Sequence, residues 1–174
     1  MGQDKARLII GGTPLWRRQL ATLRETGATE IFISGPVDGP YSESGIPIVE
    51  DAEPGLGPIG GLVTAIASAR HELVLVLAID LPRMTSGYLQ SLLADAPVVP
   101  RRGDRFEPLS AVYTRCCGEV FQHRLAQRRL SLQSAIHDLI ERGELYACDV
   151  SPAEASLFDN LNTPEDLAYF IQAE

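Results

Sequence analysis

The feature that most constrains the fold of this chain is an unbroken apolar run at residues 73–79, Leu-Val-Leu-Val-Leu-Ala-Ile. A strand with apolar side chains on both faces is typical of a sheet that is covered by helices on both sides. The run is far shorter than the ~20 apolar residues that cross a bilayer as a helix, which argues against a membrane segment. The sequence therefore predicts a buried central strand in a soluble domain.

Shorter apolar runs alternate along the chain with segments of helical periodicity. Residues 59–66 and 132–140 carry apolar side chains at helical spacing, and the Thr-Pro pairs at 13–14 and 163–164 are typical helix starts. Alternating strands and helices around an apolar strand predict a three-layer α/β domain with a mainly parallel sheet, spanning residues 1–174 as one unit. The other expected strands are residues 8–10, 31–33, 46–49, 98–99 and 111–113.

The charge and the cysteines exclude several classes of function. Fifteen basic and 23 acidic residues give a formal net charge of −8, which argues against a broad nucleic-acid surface. Cys116, Cys117 and Cys148 lack metal-ligand spacing, and an odd number of cysteines is not typical of a secreted disulfide framework. The first residues do not resemble a signal peptide, so we expect a cytoplasmic protein.

Two aspartates follow apolar strands and are candidate functional residues. Asp51 directly follows the segment at 46–50, and Asp80 directly follows the run at 73–79. In open α/β sheets ligands bind beyond the carboxyl ends of the strands, where a carboxylate also reaches a metal ion or a cation. Asp80 is equally compatible with a simple cap of the turn that leads into residues 85–93.

Three further features provide groups that contact a polar or anionic ligand. Residues 54–61, Pro-Gly-Leu-Gly-Pro-Ile-Gly-Gly, form a loop that opens a helix. The glycines let backbone N–H groups approach a ligand closely, and the alternative is that they only allow a tight connection between strand and helix. Lys5, the only lysine in the sequence, is a compact cation that suits a phosphate. The alternative is that it is a solvated residue near the terminus without a ligand. Asn160 and Asn162, two positions apart on an extended segment, point the same way and bind a polar ligand or cap the last helix.

Five motifs occur in order along the chain and together resemble one family. The chain is similar to the molybdenum cofactor guanylyltransferases, which join GMP from GTP to the molybdopterin cofactor. The resemblance implies a nucleotide-diphospho-sugar-transferase-like (Rossmann-like) fold, Mg²⁺ as cofactor, pyrophosphate release, and transient contact with proteins that mature molybdoenzymes. The motifs are residues 1–6, Asp51 with residues 54–61, residues 78–82 (Ala-Ile-Asp-Leu-Pro), residues 107–109 (Glu-Pro-Leu) and residues 160–167 (Asn-Leu-Asn-Thr-Pro-Glu-Asp-Leu).

The resemblance assigns roles to individual residues. Lys5, Asp51 and Asp80 match nucleotide-binding positions of the family, and Asp80 is also the expected Mg²⁺ ligand and catalytic residue. Asn160 and Asn162 match the pair on the molybdopterin side. Ser34 stands where the family has an asparagine that contacts the nucleotide, which is a departure from the pattern.

A larger departure concerns the amino terminus. Family members begin with a strand and a Leu-Ala-Gly-Gly loop, followed by a linker ending in Arg-Met-Gly, and this sequence begins at the Met-Gly of that linker. We therefore expect a domain that is incomplete at its amino terminus, with unpaired backbone groups on the strands beside the absent one. The alternatives to a GTP-using enzyme are a CTP- or sugar-phosphate-using relative and an inactive remnant.

Overall fold

The computed structural model describes residues 5–51, 55–162, 166 and 170; residues 1–4, 52–54, and the segment predicted as the last helix apart from 166 and 170, lie outside the described residues. Nine strands are described: β1 Ile9–Ile10, β2 Thr13–Pro14, β3 Ile33–Ser34, β4 Ile48–Val49, β5 Leu73–Leu77, β6 Val98–Arg102, β7 Arg105–Phe106, β8 Ser110–Thr114 and β9 Tyr146–Asp149. Five α-helices accompany them: α1 Leu15–Glu25, α2 Pro58–Ser68, α3 Ser86–Ala94, α4 Arg115–Ala126 and α5 Leu132–Glu141.

The helices begin where the local sequence predicts. Pro14 precedes α1, and Pro58 occupies the first turn of α2 after Gly57, whose φ of 67° favours glycine. Thr85 caps α3 by accepting a hydrogen bond from the backbone N–H of Tyr88 at 3.3 Å. In the part of the chain that the structure describes, no helix is long and apolar enough to cross a membrane.

The sheet corrects the prediction of a mainly parallel arrangement. β5 pairs with β8 antiparallel, β8 pairs with β6 antiparallel, and β6 pairs with β7 antiparallel, while β9 joins β6 in parallel. The physical reason lies in the connections: the turn at 103–104 joins β6 to β7, and three residues join β7 to β8. Parallel neighbours need a crossover of a dozen or more residues, so β7 and β8 both run antiparallel to β6. Because β8 lies between β6 and β5, it is antiparallel to β5 as well.

The three-layer architecture is confirmed, because the sheet is packed between two groups of helices. Apolar side chains of α2, α4 and α5 form one core cluster with Val74, Val99 and Tyr113 of the sheet. On the opposite face, α3 packs with Val98 and Val112 and with partly buried side chains of β5. Neighbouring residues of one strand thus face opposite clusters, as the twofold period of a strand requires.

An apolar groove separates β5 from the small parallel sheet of β3 and β4. Among the described strands β5 pairs with β8 alone and β3 pairs with β4 alone, so both present a free edge to the groove. Two adjoining cavities of about 350 and 390 Å³ fill it, and α1 and α2 contribute side chains to its walls. The predicted burial of the β5 run is therefore incomplete: Val74 is buried, whereas Leu73 is 43 % exposed.

Candidate active site

A three-residue polar cluster lies just beyond the carboxyl end of β5. The Lys5 ammonium donates to Oδ2 of Asp80 at 2.9 Å and to Oδ1 of Asn162 at 2.6 Å. The side chains of Lys5 and Asp80 are 30 % and 23 % exposed, so a ligand in solvent reaches both. The structure thus brings together three sequence-predicted site residues that are as many as 157 positions apart.

Backbone contacts hold the Asp80 turn in place. The backbone N–H of Leu161 donates to the carbonyl oxygen of Asp80 at 2.9 Å, which fixes the 160–162 segment beside the end of β5. The Gln19 amide donates to the carbonyl oxygens of Ala78 and Leu81, both at 2.9 Å. Since carbonyls beyond a strand end lack ladder partners, this amide positions Asp80 without touching it.

Gln19 is a site residue that the sequence interpretation missed. It lies in α1 and is 6 % exposed, although its neighbours on the buried face are Leu15 and Leu20. The available signal was a polar side chain within the apolar stripe of an amphipathic helix. Buried amides need hydrogen-bond partners, so this position pointed to a polar contact inside the fold.

The contacts of Asp80 also bear on the alternative that this residue is a helix cap. The cap of α3 is Thr85, and the carboxylate of Asp80 contacts Lys5. An aspartate used only for the turn would face backbone N–H groups. The geometry therefore favours a role for the carboxylate in the cluster with Lys5.

Ser34 and Asp51 converge on the first turn of α2. A Cβ atom on Gly61 would lie 3.1 Å from Oγ of Ser34 and 3.3 Å from Oδ1 of Asp51. A Cβ on Gly60 would lie 3.7 Å from Oδ2 of the same aspartate. The glycines thus let a hydroxyl and a carboxylate lie against the start of a helix, which is the positive end of the helix dipole.

Two cavities meet at the end of β5. Ser34 and Gly61 line the groove cavity of about 390 Å³. Asp80 and Asn160 line a separate cavity of about 550 Å³. Both cavities are bordered by three shared residues, Pro58, Ala78 and Leu109. The candidate residues therefore surround the Asp80 turn from two sides, and Asn160 and Asn162 stand on either side of the buried Leu161.

The residues present fit a magnesium ion that is held mainly by its substrate. Within the described ranges, no group of three or more His, Cys, Asp or Glu side chains is arranged to hold a metal. Mg²⁺ is commonly bound by one or two carboxylates together with phosphate oxygens and water. The partly exposed carboxylate of Asp80 suits such a site and does not suit an all-protein metal cage.

Comparison with solved structures shows which class of fold this is. The chain matches a structure titled molybdopterin-guanine dinucleotide biosynthesis protein A from Archaeoglobus fulgidus with a TM-score of 0.77, at 21 % identity, over 99 % of this chain and 91 % of that one. It matches 2-C-methyl-D-erythritol 4-phosphate cytidylyltransferase from Thermus thermophilus with a TM-score of 0.72, at 18 % identity, over 97 % and 93 % of the chains. The fold is that of the nucleotidyltransferases.

Sequence comparison then identifies the family. The family model of the MobA-like NTP transferase domain matches residues 1–143. A probable molybdenum cofactor guanylyltransferase of Opitutus terrae is 31 % identical over 173 residues, covering 95 % of this chain and 86 % of the relative. The molybdenum cofactor guanylyltransferase of Xanthomonas euvesicatoria is 32 % identical over 178 residues, covering 98 % and 87 %. The chain belongs to the MobA-like NTP transferase family and is an enzyme of the nucleotidyltransferase class.

Proposed function

We propose that this enzyme transfers GMP from GTP to the molybdopterin cofactor, forming molybdopterin guanine dinucleotide and pyrophosphate. The relatives that carry the name guanylyltransferase support the choice of nucleotide and acceptor. The observation that carries the proposal is the Lys5–Asp80–Asn162 cluster, in which Asp80 lines the cavity of about 550 Å³.

In the proposed reaction a phosphate oxygen of the acceptor attacks the α-phosphorus of GTP. The bond from that phosphorus to the oxygen bridging to the β-phosphate breaks, and this oxygen leaves with its electron pair as part of pyrophosphate. No proton needs to be removed from an ionised phosphate, so charge neutralisation and in-line positioning supply the catalysis. This agrees with a site that holds a cation and a carboxylate.

Lys5 provides the cation for the triphosphate. Its ammonium is shared between one carboxylate and one amide oxygen and remains partly exposed. An incoming phosphate competes for the same three protons, because anionic oxygens form stronger charge-assisted hydrogen bonds than an amide does. Asn162, which accepts from Lys5, holds the ammonium in position until the nucleotide arrives.

Ser34, Asp51 and the start of α2 bind the nucleotide in this proposal. A hydroxyl and a carboxylate at one place accept and donate hydrogen bonds to a ribose or a base edge. The N-terminal turn of α2 lies beside them, and the positive end of its dipole favours the anionic groups of a nucleotide. Asp80 would hold Mg²⁺, and the bound ion would neutralise charge on the phosphates that Lys5 also contacts.

The test is transfer of label from nucleotide to acceptor. We would incubate the protein with Mg²⁺, molybdopterin cofactor and GTP or CTP labelled at the α-phosphate, and follow labelled dinucleotide and pyrophosphate. Label should move from GTP at least tenfold faster than from CTP. Asp80→Asn should lower the rate by two or more orders of magnitude, because the substitution removes a charge that a hard metal ion requires.

The matched control is Asp95→Asn, an exposed aspartate at the end of α3. Its rate should equal that of the unmodified protein, and both variants should show unchanged circular dichroism. Preferential transfer from CTP would replace GTP in the proposal. Undiminished transfer by Asp80→Asn would remove Asp80 from the mechanism.

A further inference from the structure

Helix α1 contacts both of the segments that carry the Lys5–Asp80 pair. Its first residue, Leu15, donates its backbone N–H to the carbonyl oxygen of Leu8 at 2.8 Å, and the N–H of Leu8 donates to the carbonyl oxygen of Lys5 at 3.1 Å. About one turn further along the helix, Gln19 donates to the backbone of the Asp80 turn. The helix is thus attached to the Lys5 segment by its beginning and to the Asp80 turn by a side chain.

The amide group of Gln19 donates twice to the Asp80 turn. The acceptors are the carbonyl oxygens of Ala78 and Leu81, which lie on either side of Asp80 in the chain and are both 2.9 Å from Nε2. Since peptide units are planar, a single NH2 group that bonds two carbonyls fixes the orientation of the peptide units between them. Asp80 belongs to that stretch, so its carboxylate is oriented by hydrogen bonds that Asp80 itself does not make.

The burial of Gln19 makes this contact a demanding one. Gln19 is 6 % exposed and shares the buried face of α1 with Leu15 and Leu20. An apolar side chain at this position would avoid the cost of removing an amide from water. It would also leave the two carbonyls beyond the end of β5 without this donor. The polar residue is therefore explained by the turn that it holds and not by the packing of its own helix.

An apolar cluster packs the same segments together. Leu8, Leu15 and Leu161 are 8 %, 0 % and 2 % exposed, and Ile79 packs against them. They come from the segment that precedes β1, the first turn of α1, the chain beside Asn162 and the end of β5. Because close-packed side chains transmit strain, a change in the Asp80 turn also reaches the neighbouring segments. Gln19 provides the hydrogen-bonded link beside this apolar contact.

We propose that Gln19 is a positioning residue, which holds the carboxylate of Asp80 against the ammonium of Lys5 and thereby sets the rate of the transfer. The inference rests on the proposed function for the reaction, whereas the pairing of Lys5 with Asp80 is measurable without it. Misplacing a reacting group by about 1 Å lowers a rate on the order of 100-fold. A residue that acts through the Asp80 turn should therefore affect turnover more than nucleotide affinity.

The first experiment observes the pair directly in the 174-residue protein. Lys5 is the only lysine, so labelling lysine with ¹³C at Cε gives one side-chain signal in NMR spectra. The ammonium bonds two oxygens, so the motion of Cε should be restricted in the unmodified protein. Gln19→Met has a similar length and no donor, and it should lower the order parameter of Cε by about half. Asp80→Ala, which removes the partner, should lower it at least as much.

Two control variants separate positioning from stability. Gln90→Met removes another glutamine amide that donates to α1, at the carbonyl oxygen of Glu25, and should leave the Lys5 signal unchanged. Leu20→Ala removes buried apolar contacts from the same helix, so it should lower the urea midpoint without freeing Lys5. Circular dichroism at the temperature of the NMR experiment checks that each variant is folded.

A conservative variant keeps the test decisive if Gln19→Met does not fold. Gln19→Asn retains the amide and shortens its reach by one methylene, so the amide still bonds one carbonyl and no longer spans the turn. The order parameter of Lys5 should then lie between those of the unmodified protein and Asp80→Ala.

The second experiment measures label transfer under steady-state conditions. In Gln19→Met, kcat should fall about 10- to 100-fold, and KM for GTP should stay within about threefold, because the lost interaction orients a group and does not bind the nucleotide. A raised KM with unchanged kcat overturns the positioning role. Leu20→Ala and Gln90→Met should keep kcat within about twofold.

The outcomes distinguish this inference from the proposed function. A freely mobile Lys5 in the unmodified protein, an unchanged signal in the Gln19 variants, or an equal loss of order in Leu20→Ala overturns the inference. Loss of order in Gln19→Met and not in the controls supports it. The same result, together with no transfer of GMP by the unmodified protein, supports the positioning of Asp80 and overturns the proposed function.

Discussion

An apolar strand added ahead of Met1 should stabilise the protein, because the groove between β3 and β5 has an apolar lining and lies between two strand edges. Both flanking strands present free edges, and helices α1 and α2 contribute to its walls. Lys5 lies beside Asp80, just past the carboxyl end of β5. A strand running parallel to β5 would therefore end close to Lys5, and a short glycine-containing linker would join the two.

The expected gain is the balance of burial, hydrogen bonding and ordering. Five apolar side chains contribute about 2 kcal/mol each on full burial, and about five new backbone hydrogen bonds contribute about 1 kcal/mol each. Ordering each added residue costs about 2 kcal/mol of backbone and side-chain entropy. The net gain is about 5 kcal/mol, or about 3 kcal/mol if the unfolded chain is already partly collapsed.

The assay is urea unfolding followed by the fluorescence of Trp16, the only tryptophan, which lines the groove. With a denaturant slope of about 2 kcal/mol per M, the midpoint should rise by about 1.5–2.5 M. A control extension of equal length, with proline at the central strand position, should leave the midpoint unchanged, since proline cannot complete the ladder. Equal midpoints and equal slopes for the apolar extension and the original chain would refute the strand position.

Three further outcomes follow from single sites. Asn162→Ala should raise KM for both GTP and the acceptor about three- to tenfold in steady-state assays, because Asn162 contacts Lys5 and, in the proposed function, also lies on the acceptor side. Gly118→Ala should lower the free energy of unfolding by about 1–3 kcal/mol in urea titrations, since the added methyl would lie 2.6 Å from Cγ2 of Ile66 where α2 and α4 pack together. Burial raises the pKa of the Cys117 thiol, so alkylation of this thiol should require unfolding. The folded state then holds the thiol proton more tightly than the unfolded state does, so the free energy of unfolding should fall as the pH rises above the ordinary cysteine pKa.

Each of these outcomes has an internal comparison. Asn160→Ala should raise KM for the acceptor alone, because Asn160 lines the cavity with Asp80 and makes no contact with Lys5. Gly87→Ala, in α3, meets open space and should raise stability by about 0.5–1 kcal/mol. Cys116 is exposed and should be alkylated in the folded protein, which mass spectrometry distinguishes from its neighbour. Alkylation of both cysteines at equal rates would contradict the burial of Cys117.

The side chains around Arg124 illustrate a contact that depends on the tertiary structure. Arginine is mostly a surface residue, yet Arg124 is 3 % exposed and contacts Asp138 and Ser134 of α5. The acid lies on a different helix, at no fixed spacing along the sequence. Local periodicity contains no information about which arginine of the chain meets a distant carboxylate.

The sequence by itself determined the local elements and the residue types of the site. Apolar periodicity, a proline in the first turn and a threonine cap are interactions within a few residues, so α1, α2 and α3 begin where the pattern places them. The same holds for the strand that precedes Asp80, since seven consecutive apolar residues have few other solutions in a water-soluble fold.

Only the tertiary structure decided how these elements pair and which side chains meet. The direction of β8 depends on the short connections around β7, whose two-residue strand is too brief to give a pattern. The contact of Lys5 with Asn162 joins residues 157 positions apart, and Gln19 reaches the Asp80 turn from a helix. Such contacts form because burial of the whole sheet brings distant segments together, and that collective free energy is not a property of any one segment.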